Sequence, residues 1–390
     1  MTPNRTPRTA LATLHRLAKG FPVLALTGPR QSGKTTLAKA AFPNKPYVSL
    51  ENPDQREFAS ADPKRFLAQF ATGAVIDEVQ RVPALLSWLQ QWVDERQIMA
   101  DFVLTGSAQF DLMAGITQSL AGRVGRVELL PFSGAELHSA QWLPPDLDAL
   151  LLRGCYPAIY DRSIAPSDWM PNYVSTYIER DVRALVGVRD LSQFQRFLSL
   201  CAARSGQLLN LSTLGADCGI SAVTAKHWLS VLESSYIVTL VQPYHNNFGK
   251  RLVKTPKLYF LDVGLMAWLL GLRSEQQVST HHQRGALFET WVMGELIKHR
   301  YNQGQVRDLY FWRDSLGREV DVVYDTPQGL QAIEIKSGST WASDWADGLK
   351  SWQTLSKSPL QAQLIYGGQG VQDRGHCLAL GWQAFAWKLG

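Results

Sequence analysis

The chain has 390 residues, of which 45% are hydrophobic and 19% are charged, and its formal net charge is +5. This length predicts two or three domains of ~100–200 residues each, and the hydrophobic fraction excludes a largely disordered chain. The slight excess of basic residues is compatible with a nucleic-acid partner but does not indicate one by itself.

The cysteines and the apolar stretches indicate the cellular compartment of the protein. The four cysteines are scattered and form no Cys-x-x-Cys pair, which favours a reducing compartment and argues against a disulfide framework or a zinc site. Residues 1–20 are polar and basic and do not form a secretory signal. The longest apolar stretch, residues 258–272, carries Asp262 and is too short to cross a bilayer. We therefore expect a cytoplasmic protein with no membrane association.

The first block, residues 1–140, alternates short apolar strands with helices. Strands are predicted at residues 23–26, 47–50, 74–76 and 102–104, and each ends at a polar or glycine-rich point. In a parallel α/β sheet, ligands bind beyond the carboxyl ends of the strands. We therefore predict a ligand-binding α/β domain here.

The first strand is followed by a motif of the form G-x-x-x-x-G-K-[ST], which binds phosphate groups. Gly28 and Gly33 let the backbone curl so that successive N–H groups point at one phosphate. Lys34 would reach the β- and γ-phosphates of ATP, and the Thr35 hydroxyl would bind Mg²⁺. The helix that follows presents its positive end to the triphosphate. The predicted nucleotide-binding residues are Gly28, Pro29, Arg30, Gln31, Ser32, Gly33, Lys34, Thr35 and Thr36.

Two acidic residues follow the strand at residues 74–76. Asp77 would hold the Mg²⁺ water shell, and Glu78 would polarise the attacking water as a general base. An acidic pair at a strand end is also common on protein surfaces. Its distance from the phosphate-binding motif favours the catalytic interpretation.

The strand at residues 102–104 runs into Thr105, Gly106 and Ser107. A polar side chain here would sense the γ-phosphate from the neighbouring strand, and Ser107 is the preferred candidate over Thr105. A cap for a helix that begins near Ala108 is the alternative interpretation of Ser107.

A glycine-punctuated segment supplies two candidate catalytic cations, Arg123 and Arg126. An arginine at the γ-phosphate accelerates hydrolysis by ~10³–10⁵. It would act within the chain or from a neighbouring subunit, and a solvated surface arginine is the alternative. The predicted catalytic set is Lys34, Glu78, Ser107, Arg123 and Arg126.

The second block, residues 145–275, is predicted to be mostly helical. Helices are expected at residues 191–203, 211–218 and 223–234, with a turn at Gly219 and a cap at Ser221. Strands at residues 236–241 and 258–261 follow. Two helices joined by a turn and followed by a hairpin predict a winged helix-turn-helix.

This region contains the candidate DNA contacts. Lys226 and His227 are the basic residues of the last helix, and the hairpin is richer in basic residues. Such groups follow the phosphate backbone and position a protein without reading sequence. A solvated charge run and a protein-interaction module are the alternatives. The candidate contacts are Lys226, His227, Lys250, Arg251 and Lys254, and the hairpin also carries His245 and Lys257.

The third block, residues 284–390, returns to α+β after a polar stretch, residues 274–283, that we interpret as a linker. Helices are expected at residues 285–300 and 344–355. Strands are expected at residues 309–312, 319–324, 330–335, 363–366 and 383–387.

Three acids and a lysine in this block suggest a metal site. Glu334 and Lys336 share one face of a strand because the side-chain period of a strand is two residues. Asp321 lies on the adjoining strand, and Glu289 lies on the preceding helix. Carboxylates that hold Mg²⁺ or Mn²⁺ beside a lysine can cleave phosphodiesters. The array resembles the PD-(D/E)xK nuclease fold, which would bind this second metal; a salt bridge, or an inactive fold kept for DNA binding or packing, is the alternative.

Five motifs of the first block together resemble the AAA-type ATPase domain (AAA_14) of a large prokaryotic family. They are G-P-R-Q-x-G-K-T-T, I-D-E-V-Q, L-T-G-S, L-A-G-R and P-F-S, at residues 28–36, 76–80, 104–107, 120–123 and 131–133. The resemblance implies a P-loop NTPase core with an AAA+-like fold, Mg²⁺-ATP binding and a capacity to form oligomers. A sensor-2 arginine, found in many such proteins, is not obvious.

The same family carries a C-terminal region of unassigned function, DUF4143, and three further segments are similar to its recurring elements. They are residues 153–157, 177–182 and 285–289. Many members have Gly-Gly where this chain has Gly154 and Cys155, which makes the turn there less certain. The resemblance spans nearly the whole chain.

The function we expect is Mg²⁺-dependent ATP hydrolysis that drives a motor or switch on DNA. The protein would be a homo-oligomer, with a hexamer favoured if it forms a ring. One alternative is a signalling or scaffold ATPase that gates a protein partner. Another is a metal-dependent DNA nuclease that ATP licenses.

Overall fold

The structure is a computed structural model that describes residues 7–107, 119–178, 191–244 and 254–389. The chain forms two units, each with its own sheet. Unit 1 comprises Met1–Phe132 with two short later segments, Ser234–Tyr236 and Arg300–Val306. Unit 2 comprises Ser133–Glu233, Ile237–His299 and Arg307–Gly390.

Unit 1 is built on a five-stranded sheet in which every adjacent pair is parallel, in the order β2-β3-β4-β1-β5. All residues of β1, β3 and β4 are buried, as expected for strands covered on both faces. The four predicted strands are confirmed. The strands are β1 Val23–Thr27, β2 Tyr47–Ser49, β3 Ala74–Asp77, β4 Phe102–Gly106 and β5 Val124–Glu128.

Helices connect these strands, and local sequence explains where two of them begin. Asn52 and Asp62 each cap a helix whose first residue is proline, a residue that fits this position because its missing N–H is not needed there. The helices of unit 1 are α1 Ala10–Leu17, α2 Lys34–Ala41, α3 Pro53–Ala61, α4 Pro63–Ala68 and α5 Leu85–Arg96, with a 3₁₀ turn at Val79–Arg81.

Unit 2 contains an eight-stranded mixed sheet in the order β12-β13-β11-β10-β9-β8-β6-β7. The hairpin of the second block belongs to this sheet, because β6 pairs in parallel with β8 through Gln242 opposite Tyr310 and Pro243 opposite Phe311. The second and third blocks of the sequence therefore share one sheet. The strands are β6 Val238–Pro243, β7 Lys257–Phe260, β8 Tyr310–Arg313, β9 Glu319–Thr326, β10 Gly329–Lys336, β11 Ala362–Tyr366, β12 Val371–Asp373 and β13 Cys377–Gly381.

The helices of unit 2 follow the prediction through its middle part. Gly219 adopts a left-handed conformation with φ 70° at the end of one helix, and the Ser221 hydroxyl accepts a hydrogen bond from Thr224 N at 3.0 Å in the next. The helices are α6 Gly134–Ser139, α7 Leu147–Arg153, α8 Pro157–Asp161, α9 Pro166–Tyr173, α10 Leu191–Ala203, α11 Leu211–Cys218, α12 Ala222–Ser234, α13 Val263–Leu269, α14 Glu275–Thr280, α15 Arg284–Asn302, α16 Asp347–Ser356 and α17 Trp382–Lys388.

Three predictions of secondary structure are wrong. Residues 383–387, predicted as a strand, lie in α17, whose buried Trp382, Phe385 and Ala386 have helical spacing. The polar stretch at residues 274–283, predicted as a linker, contains α14, which begins with a capping box between Ser274 and Gln277. The strand predicted from residue 236 begins at Val238, because Tyr236 has φ 57°, which is outside the strand region.

Within the residues described, no helix combines the length and the apolar character needed to cross a membrane.

Candidate functional site

The loop between β1 and α2 has the backbone that its glycines predict. Gly28 and Gly33 have φ of 149° and 92°, where other residues are strained. A Cβ on Gly28 would also lie 2.1 Å from the carbonyl oxygen of Leu129 on the neighbouring β5 side. Gly33 immediately precedes Lys34, the first residue of α2. The loop therefore curls tightly from the end of a buried strand into a helix N-terminus, which favours an anion.

Lys34 lies inside this curl. Its side chain is buried, and its Nζ donates to the carbonyl oxygens of Gly28 at 3.0 Å and Pro29 at 2.7 Å. Burial lowers the Lys34 pKa to about 8, and the nearby Glu78 and Asp77 carboxylates partly oppose that shift. The Ser32 hydroxyl in the same loop is buried and has no hydrogen-bond partner among the described residues. The loop thus holds a buried cation and an unpaired hydroxyl, as a phosphate site requires.

Asp77 at the end of β3 accepts hydrogen bonds from three side-chain hydroxyl groups. Thr35 donates to its two carboxylate oxygens at 3.2 and 3.1 Å, Tyr47 donates at 2.8 Å, and Thr105 also donates. A carboxylate beside a threonine hydroxyl is an oxygen donor set that suits Mg²⁺. The structure therefore brings together the two predicted metal ligands, Thr35 and Asp77.

Tyr47 was not predicted from the sequence. Its register on β2, opposite Val75, places it one strand from Asp77. Burial and the hydrogen bond to Asp77 raise the Tyr47 pKa to about 12, so the hydroxyl remains a donor at neutral pH.

Glu78 lies beside Ser107, as a paired base and sensor require. The Ser107 hydroxyl donates to Glu78 Oε2 at 3.2 Å, and Gln80 donates to the same oxygen. Glu78 has φ 55°, a left-handed conformation that few non-glycine residues adopt and that clusters at functional sites. The alternative interpretation of Ser107, as a helix cap, concerns residues outside the described ranges. The remaining predicted loop residues, Arg30, Gln31 and Thr36, lie in or just after the curl.

The two candidate arginines lie at different positions, one directly before β5 and one within it. Because β1 and β5 are parallel, with Val23 opposite Val124 and Thr27 opposite Glu128, Arg123 lies at the amino end of the sheet, opposite to the loop. Its guanidinium pairs with Asp94 at 2.5 and 2.8 Å. Within its own chain Arg123 therefore lies away from the loop, and its action from a neighbouring subunit stays a prediction. Arg126 lies in β5 and is 3.8 Å from Glu128.

The candidate DNA contacts of unit 2 are only partly described. Lys226 and His227 are exposed on α12, and Lys254 is exposed before β7. Lys250 and Arg251 lie outside the described residues. Lys257, a further basic residue of the hairpin, is buried and pairs with Glu289 at 3.2 Å and with Glu319. Lys257 is therefore unavailable to a phosphate backbone.

The predicted C-terminal set comes together in unit 2. Lys336 Nζ donates to Glu334 Oε1 at 2.6 Å, and Asp321 Oδ2 accepts the backbone N–H of Ile335 at 2.7 Å. Glu289 Oε1 accepts from the Tyr259 hydroxyl at 2.5 Å in addition to Lys257. Tyr259 and Lys257 were missed as members because they come from β7, in the preceding block of the sequence.

Burial dominates the electrostatics of this carboxylate cluster. Burial raises the Asp321 pKa well above its usual range, and the Glu334 and Glu289 charges raise it further. Within the described part of the chain, no group of three Asp, Glu, His or Cys side chains could hold a metal ion. The nearby lysines, Lys257 and Lys336, supply the compensating positive charge.

Comparison with family models divides the chain into three matched regions. Residues 20–138 match an AAA domain, residues 144–276 match a domain of unknown function (DUF8612), and residues 284–385 match another (DUF4143). The sequence resemblance to an AAA-type ATPase with a C-terminal DUF4143 domain is thereby confirmed.

Two curated relatives match most of the chain. They are the uncharacterized protein Rv2008c of Mycobacterium tuberculosis and the uncharacterized protein Mb2031c of Mycobacterium bovis. Each is 33% identical over 338 residues, which are 85% of this chain and 74% of the relative.

Solved structures show weaker likeness. The Walker-type ATPase PABY2304 of Pyrococcus abyssi is 14% identical, with a TM-score of 0.45 over 67% of this chain and 94% of that one. The RuvB Holliday junction branch migration motor of Thermotoga maritima is 19% identical, with a TM-score of 0.29 over 59% and 85%. These scores add nothing to the assignment, which depends on the family models and the mycobacterial relatives. The chain belongs to the family that these mycobacterial relatives represent, and within this chain a region that matches an AAA domain precedes one that matches DUF4143.

Proposed function

We propose that unit 1 hydrolyses ATP in a Mg²⁺-dependent reaction. The observation that carries this proposal is the pairing of two carboxylates at the end of β3 with hydroxyl groups from neighbouring elements. Asp77 is held by Thr35 of the loop helix, and Glu78 is held by Ser107. These contacts support a metal-binding role for Asp77 and a water-activating role for Glu78.

Each residue has a separate task in this proposal. Thr35 and Asp77 would hold the Mg²⁺, which would supply positive charge to neutralise the phosphates. Lys34 leaves the carbonyl oxygens of Gly28 and Pro29 and pairs with the phosphates. Glu78 accepts a proton from the attacking water, and Ser107 orients Glu78.

A substitution of Glu78 tests the hydrolysis step. Glu78→Gln preserves size and removes the base, so we expect steady-state ATPase activity to fall by about a hundredfold or more. Binding of a fluorescent ATP analogue should stay within about twofold because the loop is intact. Glu57→Gln, on the exposed face of α3, is the matched control and should leave both values unchanged. Undiminished hydrolysis in Glu78→Gln would remove the assigned base.

We further propose that the protein acts on DNA as an oligomeric motor or switch. In unit 2, α10, α11 and α12 are followed by the β6–β7 hairpin, the element order of a winged helix-turn-helix. Residues 207–209 add to the hairpin, since Leu209 N donates to Pro256 O at 2.8 Å and Leu258 N donates to Gln207 O at 3.0 Å. Lys226, His227 and Lys254 are exposed on these elements.

DNA binding is tested by salt dependence. Lys226→Gln combined with His227→Gln should weaken binding to duplex, single-stranded and branched DNA alike, and should reduce the slope of log affinity against log salt by about one to two. Lys64→Gln in unit 1 is the matched control, since it removes one exposed charge from α4. DNA should also stimulate the ATPase. An ATPase rate that no DNA form alters, together with a stable protein partner in pull-downs, would favour the scaffold ATPase.

The nuclease alternative has its own test. Nicking of DNA that requires Mg²⁺ or Mn²⁺ and is lost in Asp321→Ala would support an ATP-licensed nuclease. We expect no such nicking, because Glu289, Glu319 and Glu334 already form ion pairs with three basic side chains, Lys257, Lys336 and Arg313. The cluster would then stabilise the fold of unit 2.

A further inference from the structure

Arg8 contacts the phosphate-binding loop from outside the matched AAA region. Its side chain is buried, and its guanidinium donates to the carbonyl oxygens of Ser32 and Leu130, both at 2.7 Å. The same group stacks on the Phe132 ring, with 4.9 Å from Cζ to the centroid. Arg8 thus joins the last turn of the loop to the segment that follows β5.

Tyr236 joins the other end of the loop to β5. Its hydroxyl donates to Glu128 Oε1 at 3.1 Å and lies 2.9 Å from Thr27 Oγ1, which donates to it in turn. Thr27 directly precedes Gly28 and is paired with Glu128 across the sheet. Tyr236 is buried in unit 1 although the residues after it belong to unit 2, and its φ of 57° is strained.

The Arg8 contact fixes the direction of one peptide group of the loop. A trans peptide places its C=O and the following N–H on opposite sides. Because Arg8 holds the Ser32 carbonyl, the Gly33 N–H is turned away from Arg8. At the other end of the loop, the Thr27 carbonyl accepts from Leu129 N at 2.7 Å, which joins this end to the segment after β5. A phosphate cradle needs successive N–H groups that face one phosphate, so the orientation of these peptides bears on binding.

We propose that Arg8 and Tyr236 are positioning residues of the nucleotide site, which brace the two ends of the phosphate-binding loop against the end of β5. This inference depends on the proposed nucleotide chemistry of unit 1. In this proposal Arg8 acts through the carbonyl group of Ser32, and Tyr236 acts through the hydroxyl of Thr27, the residue before the loop. A loosened loop would weaken the binding of the substrate and of the transition state by the same amount. KM therefore rises, and kcat does not change.

The test compares KM, kcat and the Kd of an ATP analogue in Tyr236→Phe and Arg8→Lys. Tyr236→Phe deletes the hydroxyl alone and should raise KM and Kd about fivefold, with kcat within about twofold of the wild type. Arg8→Lys keeps the charge but cannot reach two carbonyl groups at once, so about a tenfold rise in KM and Kd is expected.

Matched controls distinguish an effect on the loop from a general loss of protein stability. Tyr156→Phe removes a buried tyrosine hydroxyl that bonds Tyr173 at 2.9 Å in unit 2, and Arg16→Gln removes the α1 arginine that bonds Gln303 O at 2.8 Å. Both should leave KM and Kd unchanged. A merely structural role would lower kcat in proportion to the folded fraction, without moving KM, and would overturn the inference.

The Kd measurement keeps the two proposals distinguishable. Wild-type protein that binds the analogue but does not hydrolyse ATP would remove the proposed hydrolysis, while the shift in Kd would still decide the bracing role. Unchanged Kd in both variants, with hydrolysis intact in the wild type, would remove the bracing role alone.

Discussion

At the scale of single residues, Lys34 is the group to which the proposed mechanism gives the phosphates, so its charge bears on the proposal. In the free protein its Nζ is held by two loop carbonyl oxygens, and burial lowers its pKa to about 8. A bound triphosphate favours the ammonium form and raises that pKa. The proposed role of Lys34 therefore implies that nucleotide binding is coupled to its protonation.

This coupling predicts the pH dependence of affinity. Above about pH 8 the free protein loses the Lys34 proton and must regain it on binding, so affinity for ATP should fall, approaching about tenfold per pH unit. Below that pH the dependence on Lys34 disappears. Calorimetric titration in two buffers of different ionisation enthalpy should show proton uptake approaching one per nucleotide near pH 9. Lys34→Met should abolish the uptake, and a wild-type affinity that stays flat with pH would refute the coupling.

Gly28 gives a second prediction at the same scale. Gly28→Ala would place Cβ 2.1 Å from the Leu129 carbonyl oxygen, so the end of β1 must move away from β5. We expect a loss of about 2 kcal/mol or more in the free energy of unfolding, measured by urea denaturation. Gly122→Ala is the control, because Gly122 also has a positive φ of 74° but nothing lies within 4 Å of its Cβ position. An equal loss in both variants would show that backbone strain, and not the clash, is responsible.

At the scale of elements, the sequence predicts best where pattern and environment agree. The buried strands β1, β3 and β4 read as apolar runs, and the loop, Asp77, Glu78 and Ser107 follow them directly in the sequence. The strand β5 was missed because it is an edge strand, in which buried residues alternate with the partly exposed Val124 and the exposed Arg126. The sequence predicts a strand at the position of the last helix, α17, because its seven residues are rich in aromatic side chains, which favour strands.

The parts of the site that the sequence did not reveal come from distant elements. Tyr47 reaches Asp77 from β2, and Arg8 and Tyr236 reach the loop from residues before and after the ATPase region. Lys257 looked like a surface residue of a basic hairpin, but β7 belongs to the unit 2 sheet and turns this lysine onto Glu289 and Glu319. No local pattern marks such contacts, because they arise only when strands from separate parts of the sequence become neighbours.

At the scale of the whole molecule, the position of Arg123 bears on assembly. Arg123 lies beside the amino end of β1, and the loop begins at the carboxyl end of this strand. The five residues of β1 separate the two ends by ~16 Å. The exposed bidentate pair with Asp94 holds the guanidinium at that end. A catalytic Arg123 must therefore act on the nucleotide of a neighbouring subunit, and hydrolysis would then require a homo-oligomer.

Mixing two inactive variants tests this requirement. Arg123→Ala lacks the cation and Glu78→Gln lacks the base, so each alone should lose about a hundredfold or more of the activity. In an equal mixture with random assembly, a site is complete when its own subunit keeps Glu78 and its neighbour keeps Arg123. About one quarter of wild-type activity should then return, because each subunit in a head-to-tail ring contacts one neighbour through this face. Glu78→Gln mixed with Lys34→Ala is the control and should recover nothing, because neither subunit keeps a complete loop and base. A monomeric mass, or a mixture no more active than its parts, would exclude Arg123 as a residue supplied by the neighbour.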